Sequence, residues 1–200
     1  MAAGEGTRLR PITERWPKPV LPIDGKPVVV TLVHELARVC GRIVVVTGHL
    51  AEQVEALVAP LPYPVEFVRQ PAGQGSADAV LRARARPPYL VLAADTVFEP
   101  AAIERFAAHG DAAVAWSGDT RAPLWLLDEA VHAHLDPLPG NPPYELQDVF
   151  RLAEDAGARV SAIQVGRIRG LTTPVDLVRE NFGYLRCTTP TTSSAKDKSD

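Results

Sequence analysis

Residues 2–27 read AAGEGTRLRPITERWPKPVLPIDGKP, and this opening decides how the rest of the 200-residue chain is read. Gly4 and Gly6 let the backbone turn tightly and carry main-chain N–H groups up to an anion with no Cβ in the way. Ala2 and Ala3 lead into that turn and Thr7 adds a hydroxyl. Arg8 can grip a phosphate with two parallel hydrogen bonds, whereas Lys18 offers a compact point charge for an α-phosphate or an incoming anion. Each charge-assisted bond of this kind contributes about 1.5–3 kcal/mol. Two familiar phosphate loops are excluded, because the third glycine of the dinucleotide fingerprint is absent and no Gly-Lys-Ser/Thr follows. The strand that should feed the loop has only Met1, Ala2 and Ala3, against roughly five residues in an ordinary strand. The first strand is therefore expected to be truncated or unusually short.

Downstream, apolar residues alternate between helical and strand spacing. Val29, Leu32, Val33, Leu36 and Val39 recur on one helical face over 28–39, and the β-branched run 43–46 between Gly41 and Gly48 is a buried strand. Helices are expected at 51–59, 76–85, 101–108, 128–135, 144–156 and 174–182. Strands are expected at 65–68, 89–93, 112–116, 124–127 and 159–165, with a Pro-rich loop at 137–143. This alternation predicts an α/β fold, a single Rossmann-like domain over 1–186 with a mainly parallel central sheet flanked by helices. The Thr, Ser, Lys and Asp of 187–200 predict a disordered polar tail.

With 46% hydrophobic residues the chain can bury one sizeable core, and a net charge of -3 leaves no basic footprint for nucleic acid or an anionic membrane. Cys40 and Cys187 do not make a disulfide framework, no apolar run approaches the roughly 20 residues that span a bilayer and the opening lacks a secretory pattern, so the cytoplasm is the expected compartment. His34, His49, His109, His132 and His134 lack metal-ligand spacing and read as surface or core residues. The sequence leaves a homo-oligomer open.

The pattern A-A-G-x-G-T-R-L-x-P, then P-K-P, then P-I-x-G-K-P, resembles the signature of the sugar-1-phosphate nucleotidylyltransferases, also called nucleoside-diphosphate-sugar pyrophosphorylases. Three later segments follow in the order the resemblance implies. Gln70 ahead of Gly75-Ser76-Ala77-Asp78-Ala79 is similar to the family's Gln followed by Gly-Thr-Ala-x-Ala, whose amide and glycine backbone read the base; a side-chain amide suits this because it both donates and accepts. Asp95 closes an apolar strand where the family's aspartate holds Mg²⁺, although Ala94 replaces the usual glycine. Residues 122–128 and 144–148 resemble the segments bordering the sugar, which implies substrate-side roles for Trp125 and Glu145; Trp125 also reads as core, and Glu145 and Asp148 as first-turn decoration of a helix.

The resemblance implies a nucleotidyltransferase fold in which a sugar 1-phosphate attacks the α-phosphorus of a nucleoside triphosphate, UTP or dTTP favoured, releasing pyrophosphate. Arg8, Lys18 and Asp95 would then be catalytic, with Ala2, Ala3, Gly4, Gly6, Thr7, Gln70, Gly75 and Ser76 around the nucleotide and Mg²⁺ on Asp95. Two departures stand out. The family's long excursion with a Glu-Lys-Pro lysine is reduced to residues 116–123, where Arg121 is the sole cation, and Gly170 occupies the place of a second metal-binding Asp or Asn. Asp176, past Pro174, reads as support for a helix N-terminus. Two other readings therefore stay open, a non-catalytic regulatory homologue that binds nucleotide or sugar nucleotide, and a transferase acting on another small phosphate such as phosphocholine.

Overall fold

Proline and glycine shape the first 27 residues of the computed structural model, which describes residues 1–182. The expected domain end at 186 and the tail at 187–200 lie outside the described residues. Single 3-10 turns at Thr7–Leu9, Ile12–Glu14 and Lys18–Val20 succeed one another, because the intervening prolines remove the donors a longer helix needs. The short antiparallel pair β1 (Pro22–Ile23) and β2 (Lys26–Pro27) then turns into α1 (Val28–Leu36), which buries Val28, Val29, Leu32 and Val33.

Five successive β-branched residues make β3 (Ile43–Thr47), and α2 (Ala51–Val58) crosses over to β4 (Val65–Arg69), which lies parallel to it with Ile43 opposite Val65. After α3 (Ser76–Ala83) come β5 (Tyr89–Leu92), β6 (Thr96–Val97) and α4 (Ala102–Ala107). The hairpin of β7 (Ala113–Ser117) and β8 (Thr120–Leu127) follows, then α5 (Glu129–His132), α6 (Leu146–Asp155), β9 (Ser161–Gln164), β10 (Arg169–Gly170) and α7 (Pro174–Asn181). Asp176 forms a capping box with Thr173 at the start of α7, as its position past Pro174 implies.

Residues 1–3 thread between β3 and β5. The Ala2 amide donates to Val46, and the Met1 amino group and carbonyl meet Leu92 and the Ala94 amide. The strand order is thus β4, β3, the N-terminal segment, β5, β8, β7, β9. The sheet is mixed. The turn at Gly118 and Asp119 forces β8 to run against β7, and β8 also opposes β5, while β7 and β9 are parallel. β8 starts at Thr120, four residues before the strand read from the sequence, because pairing with β7 holds Thr120 and Arg121 extended and the Pro123 carbonyl accepts from the Ala93 amide, where hydropathy gave no signal.

Apolar side chains of the sheet pack on both faces. One cluster joins it to α1, α2 and α4 through Leu32, Val54 and Phe106; the other joins it to α3, α5 and α6 through Val80, Val131 and Phe150. Among the described residues, no helix is long and apolar enough to cross a membrane.

Candidate nucleotide site

The parallel strands β3, β4 and β5 and the N-terminal segment end at the same edge of the sheet, where open α/β sheets place ligands. The loop after Ala3 leaves from that edge. Gly4, Glu5, Thr7 and Arg8 are exposed, and among the described residues none of the main-chain N–H groups from Gly4 to Arg8 donates to a protein acceptor. Five successive amides without an internal partner are left open to a ligand. Gly6 sits at φ +64°, and a Cβ there would stand 2.9 Å from Thr13 Cγ2, so only glycine turns the loop this way. Nothing lies within 4 Å of the place a Cβ would take at Gly4.

Lys18 meets Asp95 at this edge. Flanked by the buried Pro17 and Pro19, Lys18 has its backbone held in the third 3-10 turn, and its Nζ donates to Asp95 Oδ2 at 2.5 Å. The pair is mostly shielded, with side-chain exposures of 20% and 31%. Asp95 Oδ1 accepts from the Thr96 hydroxyl at 3.0 Å. Pairing of β6 with β10 sets Gly170 opposite Thr96, and a Cβ on Gly170 would stand 3.3 Å from Thr96 Oγ1 and 3.6 Å from the Asp95 carbonyl oxygen. The position read as the lost second carboxylate is therefore beside Thr96 and the Asp95 main chain and bears no side chain. Among the described residues no three His, Cys, Asp or Glu side chains gather as metal ligands. A lone carboxylate beside these open amides still fits a hard cation, since Mg²⁺ is ordinarily held by one or two carboxylates together with phosphates and water.

Gln70 follows β4 and fills its amide donors internally. Its Nε2 donates to Gly75 O at 2.7 Å and to Asp78 Oδ2 at 2.8 Å, which leaves Oε1 as the atom able to accept from a ligand. Gly75, at φ +87°, lies against Tyr144, and any Cβ would run into that residue's backbone. The Ser76 hydroxyl donates to Glu145 Oε2 and accepts from the Leu146 amide, each at 2.7 Å. Ser76 and Glu145 thus tie the starts of α3 and α6 together, with one Glu145 oxygen left over.

The residues read from the sequence as substrate-side are spread over β8 and the start of α6. Arg121 comes from the β7–β8 hairpin and stands over the Trp116 ring at 5.6 Å, beside a cavity of about 420 Å³ that Asp148 and Arg151 also line. Trp125 packs against the cluster around Val131 and Phe150, as its core reading implies. Arg8 is exposed on the first 3-10 turn, with no ion pair among the described residues.

Sequence reasoning missed the buttress of the loop. The Thr13 hydroxyl, on a residue 1% exposed, donates to Gly6 O at 2.9 Å, and His49 Nε2 contacts Thr13 O at 2.7 Å. No residue spacing announces this, because Thr13 and His49 are 36 positions apart and meet only when the N-terminal segment lies beside β3.

Residues 1–159 match the MobA-like NTP transferase domain family. The chain is 35% identical over 101 residues to the bifunctional protein GlmU of Methanococcus maripaludis, covering 50% of this chain and 24% of that protein. It is 33% identical over 134 residues to the CMP-5'-(3-aminopropyl)phosphonate synthase of Streptomyces rubellomurinus, covering 62% and 21%. The chain thus spans about a quarter of the length of these curated relatives. In solved structures the same fold recurs in the UDP-glucose pyrophosphorylase of Acinetobacter baumanii, with a TM-score of 0.73 at 17% identity over 94% of this chain and 93% of that one.

Proposed function

Since the chain belongs to the MobA-like NTP transferase family, we propose that it transfers a nucleotidyl group from a pyrimidine nucleoside triphosphate, UTP or dTTP, to a sugar 1-phosphate, releasing pyrophosphate. The observation that carries this reading is the run of five unpartnered amides from Gly4 to Arg8 beside the Lys18–Asp95 pair. An oxygen of the acceptor phosphate attacks the α-phosphorus, the new P–O bond forms, the bond to the bridging α–β oxygen breaks, and pyrophosphate leaves with that electron pair. No covalent enzyme intermediate is required, so the protein contributes in-line positioning and charge stabilisation.

In this reading the amides of 4–8 and the Arg8 guanidinium hold the triphosphate, and Lys18 turns from Asp95 toward the α-phosphate as substrate enters. Gln70 Oε1 accepts from the base, which suits the N3–H of uracil or thymine and equally the amino group of cytosine. Asp95 with the substrate phosphates would hold Mg²⁺, which when bound offsets the charge of the leaving pyrophosphate. Arg121 and Glu145 border the acceptor, and Trp125 belongs to the core.

A second reading keeps the reaction and exchanges the acceptor for another small phosphorus oxyanion. It is favoured by the short β7–β8 turn, which removes the segment that the resemblance assigns to the sugar phosphate, and by a relative named as a phosphonate synthase. Pyrophosphate release from UTP, dTTP and CTP, each paired with sugar 1-phosphates, phosphocholine and aminoalkylphosphonates in the presence of Mg²⁺, tests both. Acceptor-dependent release is the expected result. Triphosphate binding, seen as a raised melting temperature, with no release in any pairing would overturn transfer in favour of a regulatory role.

A further inference from the structure

The first turn of α3 buries a carboxylate that the transfer step itself does not call for. Asp78 stands among the buried Ala77, Ala79 and Val80, and its side chain is 9% exposed. Withdrawing a carboxylate from water is costly unless donors meet it. Two do, and both reach Oδ2. Arg82 Nε donates at 2.6 Å from one turn further along α3, and Gln70 Nε2 donates at 2.8 Å from the end of β4. The same Gln70 nitrogen also donates to Gly75 O at 2.7 Å, so both of its hydrogens are taken. A flipped amide would set Oε1 against a carbonyl and a carboxylate, neither of which has a proton to give. The orientation of Gln70 therefore follows from its partners.

We infer that Asp78 determines base selectivity as a positioning residue, acting through Gln70 by keeping both amide hydrogens turned away from the ligand. The inference rests on the reading that Gln70 Oε1 meets the base. With its hydrogens held, the amide presents a bare acceptor, and a base must bring an N–H to that point. Uracil and thymine carry N3–H where cytosine carries an unprotonated nitrogen, and cytosine carries an amino group where they carry a carbonyl. At either place an acceptor that cannot flip takes one kind of pyrimidine and repels the other. An amide free to turn serves both, because its nitrogen donates where its oxygen accepts. The Gly75 carbonyl belongs to the main chain and is there whatever side chains surround it. Asp78 is the side chain that completes the lock. Its bond to Gln70 is charge-assisted and so the stronger of the two, and Arg82 holds the carboxylate from the other side.

The test titrates UTP and CTP, with Mg²⁺, into the unaltered chain and into Asp78→Ala, Asp78→Asn, Gln70→Ala and the double variant Gln70→Ala/Asp78→Ala, reading Kd by calorimetry so that no turnover is needed. The unaltered chain should prefer one pyrimidine by about tenfold or more. Asp78→Ala should bring the two Kd values to within about threefold, and Asp78→Asn, whose amide can itself donate to Gln70, should fall between. Adding Asp78→Ala to Gln70→Ala should change the ratio by less than about twofold, since the two side chains act as one unit. A merely structural carboxylate would weaken both nucleotides alike and leave the ratio where it was. A ratio that collapses in Gln70→Ala yet survives both Asp78 variants would overturn the inference and leave the base contact of Gln70 standing. A ratio untouched by Gln70→Ala would overturn both, as would equal affinity for UTP and CTP in the unaltered chain or binding of neither. Should Asp78→Ala fail to fold, Asp78→Asn, which keeps the shape of the side chain, decides alone.

Discussion

Replacing Lys18 with Met separates what the Lys18–Asp95 pair does for stability from what it does for turnover. Without substrate, the change strands the Asp95 carboxylate with only the Thr96 hydroxyl as a side-chain partner. An unmet buried charged group costs about 1–3 kcal/mol. Here the carboxylate keeps 31% exposure, so solvent screening brings the cost to the lower end, about 1 kcal/mol, or about 2–4 °C in melting temperature for a domain of this size. During the reaction the same substitution removes a donor aimed at growing phosphate charge, a loss of about 2.7–4 kcal/mol, or 10²–10³ in kcat. The double variant Lys18→Met/Asp95→Asn replaces the stranded charge by a neutral amide and should recover most of the stability, with turnover no better than that of the slower single variant. Urea unfolding and a coupled pyrophosphate assay read the two quantities. A kcat loss below about threefold, under 1 kcal/mol, in Lys18→Met would refute the role assigned to the lysine, as would a double variant that regains activity.

Gly75→Ala should destabilise by about 3 kcal/mol or more, because positive φ and the Tyr144 backbone both oppose a Cβ, whereas Gly6→Ala, which meets only the methyl end of Thr13, should cost about 1–2 kcal/mol; urea midpoints rank them. Gln70→Ala should raise the KM for the triphosphate by about tenfold, roughly 1.4 kcal/mol of lost base contact, with kcat changed far less. Gly170→Asp adds a carboxylate opposite Thr96 at a position with ordinary φ, where the new Cβ would stand 3.3 Å from a Thr96 hydroxyl that must give slightly, and it should lower the Mg²⁺ concentration giving half-maximal rate. Finally, burial lowers the Met1 amino group from 8.0 to about 6, against the attraction of Asp95. The unfolded chain then binds more protons between those values, so stability should rise with pH across that window by up to about 2–3 kcal/mol, be complete above pH 8 and be lost below about 6. Urea titrations across that window read the contribution, and a stability that falls from pH 6 to pH 8 would contradict it.

The local rules in the sequence carried far. Five β-branched residues in a row announce β3, the spacing of Val29, Leu32 and Leu36 announces α1, and two glycines with Arg8 and Lys18 mark a phosphate loop before any partner is known. These features depend on neighbours a few positions apart, and short-range sterics and hydropathy are what a sequence displays. The reversed direction of β8, the buttress of Thr13 by His49 and the packing of Trp125 into the core were decided by the tertiary structure, because each depends on which distant segments share an edge or a face. The same holds for the two findings with most consequence. That Gly170 faces Thr96 next to the Asp95 main chain, and that Lys18 reaches Asp95 across 77 positions, follow from the assembled sheet, a property that no stretch of residues encodes alone.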